Sequence, residues 1–284
     1  MGAVDYWCNA FSPDRRALWD AAIAAQGIPL RVRTDDDDSF APPAAMVERM
    51  DALGIDALVL PCAEVPDGAD AHAYERYATH PTELEKLVAA HAGRFAGLAS
   101  IDPRSGHAGV RAAAAQLGET ACVGLHLHTH SFDLAFDRAE LYPFYALAAD
   151  CDVPVVVQAG ASGGRMPSEC GRPVGIDRPA LYFGDVRFVL SHTGWPWTDE
   201  AIAMAQKHPN VFLGTAAWPP HHWPDALVRF LSGVGRGKTL FGTSFPTVGH
   251  RHALGRLDAL ELDERTRAAL LSDTARRVFP RLAA

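Results

Sequence analysis

The segment VRFVLSHTGWPWTDEAIAMAQKHPNVFLGT, residues 186–215, contains the pattern that decides the fold. Its first six residues form an apolar, partly β-branched run that predicts a buried strand. Residues 200–207 predict a helix, and residues 211–215 predict the next buried strand. A helix between two strands that are apolar on both faces indicates parallel strands joined by a helical crossover.

The same alternation extends in both directions from this segment. Predicted strands fall at residues 3–9, 55–60, 95–101, 121–128, 153–158, 186–191, 211–215 and 239–242. Predicted helices fall at residues 13–25, 44–53, 82–91, 107–117, 140–149, 200–207, 224–231 and 264–271. Eight strand–helix units in 284 residues predict an α/β protein of the (β/α)8 TIM-barrel type, with a single domain over residues 1–284. A doubly wound open sheet is the alternative, but residues 7–13, WCNAFSP, lack the glycine-rich turn that such folds place after the first strand.

Composition and charge restrict the function classes. The formal net charge of −8 argues against nucleic-acid or anionic-membrane binding, because both require a basic surface. No apolar run is long enough to span a membrane, and the start MGAVDYW has neither the basic start nor the apolar stretch of a signal peptide. The five cysteines include no CxxC pair, which is typical of reduced thiols. We therefore expect a cytoplasmic protein that binds a small molecule. The sequence is compatible with a homo-oligomer as well as a monomer.

Residues at the carboxyl ends of the predicted strands are the candidate site, since TIM barrels place their chemistry there. Alternation on the first strand predicts that Asp5, Trp7 and Asn9 face inward. On the fourth strand the same alternation puts His126, His128 and His130 on one face. The later strand ends contribute Gln158, His192 and Ser244.

Several segments resemble the amidohydrolase-related family of (β/α)8 barrels, which includes decarboxylases, lactonases and other hydrolases. They are SHTGWPWTDEAIAMAQKHPNVFLGTAAW (191–218), LFGTSFP (240–246), TARRVF (274–279), RPALYFGDVRFVLSHTG (178–194) and the fourth- and fifth-strand region 123–160. The similarity covers roughly residue 121 to the end, with a weaker match at VDYWCNAF (4–11). The resemblance implies a TIM-barrel enzyme.

The metal-binding positions that this resemblance implies carry other residues here. The family's first strand normally ends in His-x-His, and the two positions are Trp7 and Asn9. The fifth-strand histidine position is Gln158, and the eighth-strand aspartate, normally a ligand and the general base, is Ser244. Only the sixth-strand histidine remains, as His192. Because tryptophan is no ligand and neutral amides and hydroxyls bind divalent ions weakly, we expect neither a metal nor any other cofactor.

A relocated metal site is the competing hypothesis for the histidines. His126, His128 and His130 are two apart in sequence, so neighbours on one strand are about 6.5–7 Å apart and a third lies too far to share the ion without a bend. His128 with His192 and Cys8 is another conceivable set, but Cys8 is predicted to point away from Trp7 and Asn9. We favour an interior hydrogen-bonded role for His126 and a loop position for His130.

The remaining candidates receive roles in acid–base chemistry and substrate binding. His192 and His128 are the predicted catalytic residues, because imidazole both accepts and donates protons. Asn9, Gln158 and Ser244 form a neutral polar ring that can hold a carbonyl or phenolate oxygen. The predicted substrate contacts also include two aromatic side chains and one cation, namely Trp7, Trp195 and Arg165. Arg165 suits a substrate carboxylate, and a solvent-exposed or ion-paired arginine is the alternative.

Three functional hypotheses remain open on the sequence alone. The first is a metal-independent enzyme that uses histidine acid–base chemistry as a lyase, cyclase, dehydratase or isomerase on a small unsaturated or aromatic substrate, with or without a carboxylate. The second is a metal-independent hydrolase such as a lactonase, which needs a new base such as His192, Glu64 or Glu169. The third is a binding barrel without catalysis.

Overall fold

The computed structural model describes residues 1–26, 40–63 and 78–283. Eight parallel strands follow one another around a single sheet in chain order. The strands are β1 (Ala3–Asp5), β2 (Ile55–Cys62), β3 (Phe95–Ser100), β4 (Cys122–Leu127), β5 (Val155–Gln158), β6 (Phe188–Ser191), β7 (Val211–Gly214) and β8 (Thr239–Leu240). The predicted single-domain TIM barrel is confirmed. Glu64 lies outside the described residues.

The barrel closes through the residues that follow β1 and β8. The amide of Tyr6 donates to the carbonyl of Phe241 over 3.1 Å, and the amide of Ser244 donates to the carbonyl of Trp7 over 2.8 Å. The amide of Asn9 then donates to the carbonyl of Phe245 over 2.9 Å. Backbone bonds therefore join the first and last strands beyond the short β8 ladder, and they fix the segments that carry Trp7, Asn9 and Ser244.

Helices surround the sheet. They are α1 (Arg15–Gln26), α2 (Pro43–Leu53), α3 (Pro81–Ala90), α4 (Gly106–Glu119), α5 (Thr129–Phe132), α6 (Tyr142–Asp150), α7 (Asp177–Tyr182), α8 (Thr198–Lys207), α9 (Asp225–Ser232), α10 (His250–Asp258), α11 (Glu264–Ala268) and α12 (Thr274–Val278). All eight predicted helices are present in the predicted order, and α5, α7, α10 and α12 are additional helices that the sequence pattern did not predict. The predicted helix 264–271 ends early as α11, because a π-helical turn, Ala269–Asp273, leads into α12. No helix in the described part of the chain has the length and apolar character needed to cross a membrane.

Two apolar layers enclose the sheet. The interior layer includes Val4, Val59, Val156, Val189 and Phe212, which come from five different strands and fill the barrel as a packed core. The outer layer packs the opposite strand faces against the helices. Alternate residues of each strand point into the two apolar layers, so the strand sequences are continuous apolar runs. Polar side chains are therefore concentrated at the strand ends.

Candidate active site

The side-chain alternation of β1 breaks at Tyr6, where the chain bends after the strand ends at Asp5. Both Tyr6 and Trp7 consequently lie in the interior layer. Asp5 points instead toward β8 and α10, where it bonds Thr243 and His250. The prediction that Asp5 faces inward with Trp7 and Asn9 is therefore wrong, because one extra residue on the inner side shifts the alternation by one.

Trp7 lies between the fourth and sixth strands at the carboxyl end of the barrel. Its ring centroid is 4.5 Å from that of His126 and 5.8 Å from that of His192, and both contacts are edge-on. The indole is buried. The position that the family resemblance assigns to a first-strand metal ligand is thus occupied by an aromatic ring in contact with two imidazoles.

Three histidines at and beyond the end of β4 form a row. His126 lies on β4, but His128 precedes α5 and His130 lies within α5, so the predictions of one shared strand face and of a loop position for His130 are wrong. Ring centroids are 5.8 Å apart for His126 and His128, and 5.9 Å apart for His128 and His130. His126 Nδ1 lies 3.1 Å from the Ser100 hydroxyl, which agrees with the interior hydrogen-bonded role. His130 Nε2 donates to the carbonyl of Gly160 over 2.8 Å and so ties α5 to the loop after β5.

His128 is held in one tautomer. The amide of Ser131 donates to its Nδ1 over 3.2 Å, so Nδ1 is the acceptor and Nε2 carries the proton of the neutral ring. A hydrogen bond to Gln158 raises the His128 pKa, as expected when the imidazole donates. Burial has the larger effect and, together with His126, His130 and His192, holds the pKa well below its usual range. His128 is therefore neutral at neutral pH.

His192 begins the tight turn that follows β6. Its φ of 64° and the φ of 57° at Thr193 are left-handed values, which non-glycine residues adopt at an energetic cost and which cluster at functional sites. Burial, with His130 nearby, lowers the pKa of His192 to about 3. His192 is only partly buried, and its ring is uncharged at neutral pH.

A hydrogen-bonded chain reaches His192 from the barrel interior. The Tyr6 hydroxyl lies 2.7 Å from the Ser191 hydroxyl, which in turn lies 2.8 Å from His192 Nδ1. Gly214 and Gly242 leave the space that the Tyr6 ring occupies, because a Cβ on either would collide with it. Sequence reasoning missed Tyr6 and Ser191, since the expected alternation on β1 pointed Tyr6 outward.

Asn9 and Ser244 form a bonded pair beside Trp7. Asn9 Nδ2 donates to the Ser244 carbonyl over 3.1 Å and lies 3.2 Å from the Ser244 hydroxyl oxygen. Ser244 has a φ of 55°, another left-handed value at a strand end. Both side chains are uncharged and already hydrogen-bonded to each other, so this edge of the site offers neutral polar groups.

Asp5 organises a second polar cluster at the seam between β1 and β8. Its carboxylate accepts from the amides of Trp7 and Thr243, over 3.0 and 3.1 Å, and from the Thr243 hydroxyl. His250 Nε2 lies 3.0 Å from the same carboxylate, and the His250 ring stacks on Phe245. No local sequence pattern predicts the contact between residues 5 and 250.

Arg165 and Trp195 lie at the mouth rather than beside the histidines. Arg165 is exposed and has no ion-pair partner among the described residues. The sulfur of its neighbour Met166 lies 3.7 Å from the Ser131 hydroxyl oxygen, which brings this loop close to α5. Trp195 is 44% exposed and packs against Trp218, with 4.9 Å between ring centroids. A cavity beside His126 and His128, about 10 Å³ in volume, has room for about one water.

The donor set does not fit a divalent metal. In residues 1–26, 40–63 and 78–283, no three His, Cys, Asp or Glu side chains come together as a metal site. Trp7 lies between His126 and His192, and His192 Nδ1 is bonded to Ser191. Asn9 and Ser244 are bonded to each other. The histidine row therefore provides no site in the described chain, and we derive no step through a metal.

A sequence profile of the amidohydrolase family matches residues 4–281. The chain belongs to the amidohydrolase family. This membership makes it an enzyme of the hydrolase or lyase type and covers the whole barrel, including every strand end described above. The search of curated proteins found no match.

Solved structures of similar fold come from several amidohydrolases and TIM barrels. An uncharacterized TIM-barrel protein from Bordetella bronchiseptica matches with 20% identity and a TM-score of 0.77, over 100% of both chains. The 2,6-dihydroxybenzoate decarboxylase from Rhizobium matches with 19% identity and a TM-score of 0.67, over 99% of both chains. The 5-carboxyvanillate decarboxylase from Novosphingobium aromaticivorans, complexed with manganese, matches with 13% identity and a TM-score of 0.68, over 99% of this chain and 96% of that one.

Proposed function

We propose that this amidohydrolase is a metal-independent lyase that decarboxylates a small aromatic carboxylate by histidine proton transfer. The observation that carries the proposal is the set of neutral groups at the strand ends where the family resemblance implies metal ligands. Trp7 contacts both His126 and His192 edge-on, and Asn9 is bonded to Ser244. The fold similarity to aromatic decarboxylases supports the reaction class, whereas the described residues contain no cluster of ligands for the manganese that one such structure holds.

Hydrolysis is disfavoured because the described residues place no free carboxylate in the site to activate water. Ser244 stands at the position that the family resemblance assigns to the general base. Asp5 is fully buried and already accepts bonds from Thr243 and His250. Glu169 has a side chain that is 79% exposed and lies 3.6 Å from the Arg172 guanidinium. A lyase, which needs no attacking water, suits these groups better.

An anionic substrate matches the depressed pKa values of the histidines. Burial keeps His128 and His192 uncharged, because no counter-ion offsets the cost of a buried cation. A bound carboxylate supplies that counter-ion and raises the pKa of an adjacent imidazole. Substrate binding thereby creates the proton donor that decarboxylation requires. Arg165, exposed at the mouth, adds a positive charge on the entry side.

The proposed step is protonation at carbon. Protonated His192 gives its proton to the ring carbon that bears the carboxylate, and the bond between that carbon and the carboxylate then breaks. Its electron pair returns to the aromatic ring, carbon dioxide leaves, and His192 returns to the neutral form. Asn9, Gln158 and Ser244 hold a phenolic oxygen, and Trp7 contacts the ring face. The net reaction consumes one proton from solvent.

The cavity that the described residues form beside His128 holds about one water, which is too small for an aromatic carboxylate. The loop after β5 lies close to it, since the Met166 sulfur is 3.7 Å from the hydroxyl of Ser131, which lines the cavity. We propose that this loop opens for the substrate and closes over it. The proposal also places the enzyme in the cytoplasm, consistent with five cysteines that form no disulfide.

The direct test is an assay of chelator-treated protein with a panel of aromatic carboxylates that includes 2,6-dihydroxybenzoate and 5-carboxyvanillate. Release of carbon dioxide that survives chelation supports the proposal. Hydrolysis of a parallel lactone panel, without carbon dioxide release, would replace it with the hydrolase hypothesis. Tight binding of the carboxylates with no turnover would replace it with the binding-barrel hypothesis.

A further inference from the structure

The hydrogen-bonded chain from the barrel interior to His192 has a defined direction. It consists of Tyr6, Ser191 and His192, with 2.7 Å between the two hydroxyl oxygens and 2.8 Å between Ser191 Oγ and His192 Nδ1. Ser191 is fully buried and so is Tyr6, so no solvent competes for these bonds. Each hydroxyl has one proton to donate, and the donor of each bond follows once the first proton is placed.

The position of the first proton follows from the protonation state of the Tyr6 phenol. Burial raises the Tyr6 pKa, so the phenol keeps its proton, although the Ser191 hydroxyl and the backbone groups of Ala216 and His192 lower that pKa to a smaller extent. Among the described residues, the Ser191 hydroxyl is the one hydrogen-bond acceptor within reach of the phenolic proton. Tyr6 therefore donates to Ser191, and Ser191 donates its own proton to Nδ1 of His192.

We propose that Tyr6 and Ser191 are positioning residues that hold neutral His192 in the tautomer with its proton on Nε2. Nδ1 is then an acceptor, and Nε2–H is the group presented to a ligand. Nε2 forms no hydrogen bond with any residue in the described ranges and is not an enclosed atom, so it is open to a ligand. His192 thus reaches the substrate as a donor, suited to a carboxylate oxygen.

The packing around Tyr6 keeps the chain in place. A Cβ at Gly214 would meet the Tyr6 hydroxyl, and one at Gly242 would lie 2.5 Å from its ring carbon Cε1. The phenol therefore crosses the barrel over two glycines and has little freedom to turn its hydroxyl away from Ser191. His128 shows the same tautomer through the Ser131 amide. Both candidate catalytic histidines consequently present Nε2–H.

The test is the tautomer of His192 in the ligand-free protein. Nitrogen-15 spectra that correlate ring nitrogens with ring protons should show a protonated Nε2 and an unprotonated Nδ1 at neutral pH. Tyr6→Phe, which keeps the ring between the glycines, and Ser191→Ala should each introduce the other tautomer. Tyr145→Phe is the matched control, because it removes a different buried hydroxyl, bonded to the Phe136 carbonyl over 2.9 Å.

Two results of this measurement would overturn the proposal. A protonated Nδ1 in the wild-type protein would overturn the proposal. It would equally be overturned if Tyr6→Phe and Ser191→Ala, both folded by circular dichroism, gave the wild-type spectrum. Should Ser191→Ala not fold, Tyr6→Phe decides alone.

The kinetic consequence rests on the proposed decarboxylation and is measured separately. Tyr6→Phe should lower kcat for carbon dioxide release about tenfold with little change in KM, because it disturbs the proton donor rather than substrate contacts. Tyr145→Phe should leave both constants unchanged. An absence of any decarboxylase activity in the wild type would remove the proposed function, whereas the tautomer measurement would still decide the role of Tyr6 and Ser191.

Discussion

The Nε2 atom of His250 lies 3.0 Å from Oδ2 of Asp5, and neither side chain has any exposed surface. The pair joins β1 to the start of α10 exactly where no strand ladder continues between β1 and β8, and Thr243 adds two further bonds to the same carboxylate. The carboxylate thus holds the seam of the barrel next to Asn9 and Ser244.

Removing this carboxylate should cost substantial stability. We expect Asp5→Ala to lower the free energy of unfolding by about 3 kcal/mol, because it leaves buried donors on Thr243 and His250 without an acceptor. Asp152→Asn is the control, since Asp152 forms an exposed ion pair with Arg187 and should cost under about 1 kcal/mol. Urea unfolding measures both, and equal losses would contradict a special role for the buried pair.

His192 should be essential for turnover and dispensable for folding. His192→Ala should lower carbon dioxide release at least about 100-fold, in the range typical of lost acid–base catalysis. His107→Ala, on the exposed surface of α4, should change nothing. Unchanged turnover in His192→Ala with an intact fold would remove His192 from the mechanism.

The purified protein should contain no stoichiometric zinc, manganese or iron. The physical reason is the neutral, mutually bonded pair of Asn9 and Ser244 and the indole of Trp7 at the strand ends. Elemental analysis measures this directly, and dialysis against a chelator should leave activity unchanged. One tightly held ion per chain, or activity lost to the chelator and restored by manganese, would contradict the prediction.

Binding of an aromatic carboxylate should take up a proton. In the free enzyme the pKa of His192 is about 3, so its ring is neutral at neutral pH, and a bound anion raises that pKa. Proton uptake occurs between the two pKa values, and affinity therefore falls as pH rises through the pKa of the complex. Calorimetry in two buffers of different ionisation enthalpy measures the uptake. Zero uptake near neutral pH would indicate that the histidines remain uncharged in the complex.

The space for Tyr6 should be intolerant of even one methyl group. Gly214→Ala should destabilise the protein by about 1–3 kcal/mol, because the new Cβ overlaps the Tyr6 hydroxyl. Gly118→Ala is the control, since that glycine lies within α4 with open space around it and alanine favours helix. Thermal unfolding compares the two variants, and a neutral Gly214→Ala would show that the Tyr6 ring shifts readily.

Much of the fold follows from local pattern. The strands β2, β5 and β6 are buried on both faces, and such strands have nearly continuous apolar sequences that are easy to recognise. The last strand falls within its predicted run 239–242 but is shorter, because the residues after Leu240 bond to the segment after β1 outside a regular ladder.

Site residues that lie on a single strand could be predicted from the sequence, whereas contacts between distant segments of the chain could not. Alternation on β4 accounts for the inward position of His126, whereas His128 and His130 join it through α5, which the sequence pattern does not predict. The bend at Tyr6 has no sequence signature, so the inward side chain of β1 was assigned to Asp5 instead. The pairing of Asp5 with His250 spans 245 positions and depends on barrel closure, which no local pattern encodes.

Trp7 has a consequence for how this enzyme can be observed. An indole in edge contact with His126 and His192 is a fluorophore placed beside two groups whose charge state matters for binding. Protonated imidazole quenches indole emission more strongly than the neutral ring does. Trp7 therefore gives the barrel an intrinsic fluorescence probe, with which the proposed substrate binding and histidine protonation can be followed in real time without a label.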